Sequence, residues 1–156
     1  MAFRSRSYKL TRLGNIITSG QVQKTGQPAF RVSSDAATNG QTGTITWGTE
    51  YYDIGGNFNL ATNRFVAPVD GLYNFEHQDL AGNNGNVNND IGIYVNGVFR
   101  SGTRVREDTG SSNWNTYVTF GLLDLNENDY VDVRVITGQV YNNSTHWIVF
   151  QGYLVG

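Results

Sequence analysis

Histidines, carboxylates and nucleophilic hydroxyls are the side chains that could do acid–base or metal chemistry, and this chain spreads them thinly. Its two histidines, His77 and His146, fall on different expected strands. There is no cysteine and no His-x-His or His-Glu-x-x-His spacing, so the sequence offers no thiolate site and no ligand set for zinc. No serine sits in a nucleophile elbow, and no glycine-rich loop carries the lysine of a phosphate cradle. Glu107-Asp108 is a carboxylate pair, but a glycosidase needs two carboxyls converging across a cleft, and adjacent acids in a loop are ordinarily a solvated face. Asp124-x-Asn126-x-Asn128-Asp129 has the alternating oxygens of a calcium loop without its glycine at the sixth position or its glutamate at the twelfth. Asn143-Ser144-Thr145 is a glycosylation sequon, which matters only in a secreted chain. The chemistry these residues support best is contact. Trp114 and Tyr141, flanked by asparagines, are the rings and amides that stack on sugars and bond their hydroxyls; they are equally ordinary loop residues. The chain is expected to be no enzyme and to hold no catalytic metal and no cofactor. A polysaccharide depolymerase is the enzymatic alternative, open to a turnover screen.

The elements that must position such residues are strands. Phe65-Val66-Ala67-Pro68-Val69-Asp70-Gly71-Leu72-Tyr73-Asn74-Phe75 reads as strand, turn, strand. Pro68 has no N–H for a ladder and ends the first strand; Asp70-Gly71 supplies the turn. Tyr73, Phe75 and His77 share one face of the second strand, which is expected to pack inward. Composition agrees. At 156 residues, with 19 Gly, 18 Asn, 13% aromatics and only 15% charged residues, the chain has one-domain length and a turn-rich, amide-rich surface. The aromatics speak against global disorder.

Short strands then recur at intervals of about ten residues. They are expected at 29–32, 44–47, 50–53, 63–67 and 72–80, with an irregular loop over 82–89. Asp90 to Val95 turns through Asn96-Gly97, a type I′ signal, into 98–100; 104–106 ends that arm before a loop at 107–113. Three long strands follow, from Trp114 to Leu125, Tyr130 to Ile136 and Trp147 to Val155. No helical period of adequate length appears. The pattern predicts an all-β, antiparallel two-sheet jelly-roll sandwich of about ten strands with an extended N-terminal arm.

The arm is residues 1–26, and the domain is 27–156. All five charges before Asp35 are positive: Arg4, Arg6, Lys9, Arg12 and Lys24. Residues 27–156 carry six basic and 13 acidic residues, a net of −7. Fully extended, the arm would reach roughly 85 Å. It reads either as a tail or as a docking arm through Arg4, Arg6, Tyr8, Lys9 and Arg12. Five scattered charges make a weak footprint for nucleic acid, so none is expected as a partner. No apolar run reaches the ~20 residues of a membrane span, and no signal peptide is expected at Met1 to Gly20. If Met1 is the native start, the chain is expected to be made in a cytoplasm and not exported by this segment.

Trp47, Asp53, Phe58, Phe65, Gly71, Tyr73, Phe75 and His77 match, in order and spacing, the signature of the globular head of complement component 1q, which shares its jelly roll with tumour necrosis factor. Phe150-Gln151-Gly152-Tyr153-Leu154 resembles that family's last strand, Phe-x-Gly-x-Leu, and residues 122–131 resemble its apolar strand, acidic turn and next strand. The family pattern has Phe at Trp47 and Phe or Tyr at His77; both departures keep a planar ring. The resemblance covers about 27–156 and implies a motif core of Trp47, Asp53, Phe58, Phe65, Gly71, Phe75, Phe150 and Gly152. Some members bind calcium near the trimer top, so the resemblance keeps a calcium site open without naming ligands.

The last strand is apolar on both faces, with Ile148, Phe150, Gly152 and Leu154 on one and Trp147, Val149, Gln151 and Tyr153 on the other. Such a strand needs a second cover. In the resembling family two neighbouring subunits supply it, which assigns Trp147, Val149 and Tyr153, with Tyr73 or Phe120, to a homotrimer interface; a loop or the arm is the other candidate cover. The chain looks like a bacteriophage virion protein: a trimeric head of a tail fibre, head fibre or capsid decoration, tied to other virion proteins by its arm, contacting a host glycan or receptor through loops 82–89, 107–113 and 138–145. The alternative is an extracellular complement- or cytokine-like ligand or lectin.

Overall fold

A computed structural model describes residues 26–34, 41–81, 86–108, 115–140 and 147–156. Among them are eleven strands and no helix: β1 (Ala29–Ser33), β2 (Gln41–Thr44), β3 (Thr49–Ile54), β4 (Phe58–Asn59), β5 (Arg64–Val66), β6 (Gly71–Ala81), β7 (Asn86–Val95), β8 (Val98–Asp108), β9 (Asn115–Leu125), β10 (Tyr130–Val140) and β11 (Val149–Leu154). Every pairing is antiparallel. One sheet runs β3-β1-β11-β6-β9. In the second, β10 pairs β7 on one side and β2 and β5 on the other, with β8 beyond β7 and β4 beyond β5. The two sheets of this jelly roll join where Val140 meets Ala81. Along another margin, Ser101 and Thr103 of β8 donate from their hydroxyls to the Phe120 and Val118 carbonyls of β9, at 2.6 and 2.8 Å.

The expected organising pair holds its place. Pro68 follows β5, and Asp70 accepts the Glu127 N–H at 2.8 Å, tying this turn to the acidic turn before β10. Tyr73, Phe75 and His77 all point inward and are fully buried. Phe30, Phe58, Phe65, Phe75, Phe150 and Trp47 form one aromatic core, with ring centroids 4.9–6.3 Å apart, a spacing at which offset and edge-on pairs add to area burial. Asn96-Gly97 is the type I′ hairpin, with φ of 51° and 78°.

Three boundaries differ from expectation. Residues 86–89 extend β7 instead of looping, because β8 runs unbroken from Val98 to Asp108 and pairs with them. Asn89 replaces missing ladder bonds with its side chain, donating to the Gln139 carbonyl and accepting its N–H at 2.9 and 3.1 Å. Ile45 to Gly48 leave the ladder, since the Trp47 N–H goes to the Asn63 side chain at 2.9 Å.

Gly152 shows why the last strand needs a glycine. A Cβ there would lie 2.6 Å from Phe75 Cδ1 and 2.9 Å from Phe30 Cε1, and neither ring has room to retreat. Gly152→Ala should therefore cost about 1–3 kcal/mol by overpacking, read as a fall in denaturant midpoint at unchanged slope.

Candidate functional site

The motif residues are scaffold. Trp47, Phe58, Phe65, Phe75 and Phe150 are core. Asp53 accepts the Phe58 N–H at 2.8 Å and fixes the chain's turn into β4. Gly71 lies against Leu154, where a Cβ would come within 2.7 Å of Cδ1. What remains for function is surface, and the register of the first sheet arranges it in rows. Tyr52, Arg31, Gln151, Glu76 and Phe120 lie side by side across five strands. So do Ile54, Ala29, Tyr153, Asn74 and Leu122, and then Thr49, Ser33, Val149, Gln78 and Val118.

These rows form the face turned away from the core. Phe120 is 71% exposed, Leu122 59% and Tyr153 50%, and Val118, Tyr52 and Ile54 are also exposed. Six exposed apolar side chains on one sheet face are unusual for a free surface. Between its apolar margins runs a polar ladder. Arg31 Nη1 donates to Gln151 Oε1 at 2.6 Å, and Gln151 Nε2 donates to Glu76 Oε2 at 2.9 Å. The ladder satisfies itself within the chain, so covering the face would strand no charge. A shallow pocket of about 100 Å³ lies over these three residues, Gln78 and Val149.

Of the expected interface residues, Phe120 and Tyr153 lie on this face, and Trp147, half exposed, stands just before β11. Tyr73 and Val149 do not present a surface. Tyr73 is fully buried, its ring 5.6 Å from Phe65 and its hydroxyl donating to the Val69 carbonyl at 2.9 Å; its parity puts it on the inner face with Phe75. Val149 has the outward parity but is only 5% exposed. Sequence reasoning passed over Val118, Leu122, Tyr52 and Ile54; the alternation in 117–122 carried the signal for two of them. Trp114, Tyr141, His146 and the arm residues Arg4, Arg6, Tyr8, Lys9 and Arg12 lie outside the described residues.

The titratable groups that could do chemistry are sealed. His77 is fully buried, and burial pushes its pKa down to about 4, offset in part by Nδ1 lying 3.0 Å from the Val149 carbonyl. A neutral ring next to a carbonyl carries its proton on Nδ1. Burial pushes Asp79 up to about 7, against a weaker lowering by the Leu80 backbone N–H. Neither reaches solvent, so neither touches a substrate. In the acidic turn, Asp129 Oδ2 accepts the Asn126 N–H at 2.8 Å, and Oδ1 accepts from Asn96 at 2.6 Å. These bonds hold its carboxyl below the usual range; it serves as a turn brace. Among the described residues no three His, Cys, Asp or Glu side chains are grouped to hold a metal ion.

Residues 29–155 match the C1q domain family. No curated protein matches the chain. Among solved structures, the globular domain of the zebrafish complement 1qA protein superimposes with a TM-score of 0.60, covering 83% of this chain and 98% of that one at 18% identity; at this identity the likeness is one of fold.

Proposed function

This chain belongs to the C1q domain family, and from that premise we propose that it is a non-enzymatic recognition head that works as a homotrimer, with the outer face of the β3-β1-β11-β6-β9 sheet turned toward the other two copies. The observation that carries this is the row structure of that face: exposed Phe120, Leu122, Val118, Tyr153, Tyr52 and Ile54 flank a charge ladder already satisfied within the chain. Burying one such side chain is worth about 1.5–3 kcal/mol, and a cyclic trimer repeats the gain at three interfaces. Light scattering on the full chain and on residues 27–156 tests the reading. A trimer of about 52 kDa, three times the 17.3 kDa chain, is expected in both; two monomers would overturn it.

Within that reading the head is a virion component, on a fibre or decorating a capsid, and residues 1–26 dock it on the particle. The arm's five basic residues against a body of net charge −7, and the absence of cysteine, support this. Recovery of the chain in gradient-purified particles tests it. The likeness to a complement head favours a second reading, a secreted ligand that binds a receptor or glycan; recovery only in cell-free medium would select it. A calcium ion at the trimer top remains a proposal that calcium titration of the trimer tests.

A further inference from the structure

The second sheet turns a different face outward. Register puts Tyr130, Asp132 and Arg134 of β10 on that side, with Tyr94, Gly92 and Asp90 of β7 and Gly102 and Arg104 of β8 beside them. Two aspartates lie beneath arginines there. Asp132 is fully buried. Arg134 donates to it from Nε and Nη2 at 2.6 and 3.0 Å, and Arg64 from Nε at 3.4 Å. The Arg64 guanidinium carbon lies 4.0 Å over the Tyr130 ring and that of Arg134 lies 4.5 Å over Tyr94. Asp90, also buried, takes Arg104 Nε at 3.1 Å and Arg106 Nη1 and Nη2 at 2.8 and 3.1 Å.

Each cluster holds two guanidiniums and one carboxylate, a net charge of +1, and in each the carboxylate is the sealed partner. Arg64 and Arg104 spend only Nε on the aspartates, so their Nη groups face outward, fixed by a buried carboxylate and, for Arg64, a ring. That is a preorganised fork for an oxyanion. The contrast with the rest of the domain is strong: residues 27–156 carry six basic and 13 acidic residues, yet four of the six basic ones are on this face. Between the clusters Gly92 pairs with Gly102, and the Phe99 ring lies across both, within 2.8 Å of where either Cβ would stand. Phe99 and Ile136, both half exposed, border a pocket of about 200 Å³ beside Arg104.

We infer that this face binds an extended acidic polysaccharide, its carboxylate or sulfate groups on the two arginine clusters and the apolar faces of its sugars on the Phe99–glycine strip. The inference rests on the recognition reading above and names its ligand class. Asp90 and Asp132 are four residues apart along the sheet and one strand over, roughly 14 Å. Well-spaced anions suit that separation. Nucleic acid, with a charge every ~3.4 Å along each strand, would lay several phosphates on an uncharged strip and against a body of net negative charge.

Surface plasmon resonance on the full-length chain tests this, with heparin as the sulfated probe, polygalacturonate as the carboxylated one, and dextran and a single-stranded DNA oligomer as controls. The expected result is binding to at least one acidic polysaccharide at 50 mM salt, lost by 500 mM, with neither control bound comparably. Arg64→Gln with Arg104→Gln should weaken binding at least tenfold without moving the Tm, because each aspartate keeps one arginine. No binding to either acidic probe, unchanged binding by the double variant, or equal binding to DNA overturns the inference. Binding to a neutral glycan alone would overturn it while leaving the recognition reading standing.

Discussion

A Phe120→Asp chain is expected to be a folded monomer at concentrations where the parent is a trimer. Phe120 is 71% exposed, at the β9 end of the row that runs through Glu76, Gln151 and Arg31. Its removal takes nothing from the core, so far-ultraviolet circular dichroism should be unchanged. In the trimer the same ring is lost at three interfaces, about 2 kcal/mol each or about 6 kcal/mol in all. A carboxylate placed in the interface adds a desolvation cost of several kcal/mol per copy, and the nearest charge, Glu76, has the same sign. Analytical ultracentrifugation across a concentration series reads the outcome. A variant that stays trimeric would put the interface elsewhere. Tyr153→Ala, on the next row, should weaken assembly in the same direction by less, since it removes apolar area without adding charge.

The scaffold was legible in the sequence because its rules are local or parity-based. The turn at Pro68 and Asp70-Gly71, the Asn96-Gly97 hairpin and the inward set Tyr73, Phe75 and His77 each follow from a few adjacent residues. The two-faced character of β11 was also visible, as was the outward parity of Tyr153. What stayed hidden depends on register between strands far apart in the chain. Arg31, Gln151 and Glu76 come from three strands, with sequence separations of 120 and 75 residues, and nothing local joins them. The arginine clusters are the same kind of case: Arg64 and Asp132 are 68 residues apart. The Asn-rich stretch at 86–89 was read as loop because asparagine disfavours strands, and pairing with β8 overrides that preference. Tyr73 and Val149 were misplaced on the surface by opposite errors. Tyr73 has inward parity; Val149 has outward parity, but its neighbours cover it.

The second large effect concerns His77 and Asp79, two residues apart on the inner face of β6. Their titrations oppose each other. Asp79 has a folded pKa of about 7 against 3.8 unfolded. The native state holds that proton more tightly, so stability falls as pH rises from about 4 to about 7, by about 4 kcal/mol. His77 has a folded pKa of about 4 against 6.5 unfolded. There the unfolded state holds the proton more tightly, so stability is lost as pH falls from about 6.5 to about 4, by about 3 kcal/mol. Across this shared window one group gains what the other loses, and the parent domain should change by only about 1 kcal/mol from this pair. Single substitutions should unmask the two slopes with opposite signs. Asp79→Asn leaves His77 alone and should make the domain more stable at pH 6.5 than at pH 4. His77→Phe, which puts at this position a ring the family pattern accepts, leaves Asp79 alone and should make it less stable at pH 7 than at pH 4. Denaturant melts of the three chains at pH 4, 5.5 and 7 measure both slopes, referred to the parent so that titrations elsewhere cancel. Equal pH profiles for all three would mean that neither group carries the burial cost assigned to it. Slopes of the same sign would mean that one of the two holds its ordinary pKa in the folded chain.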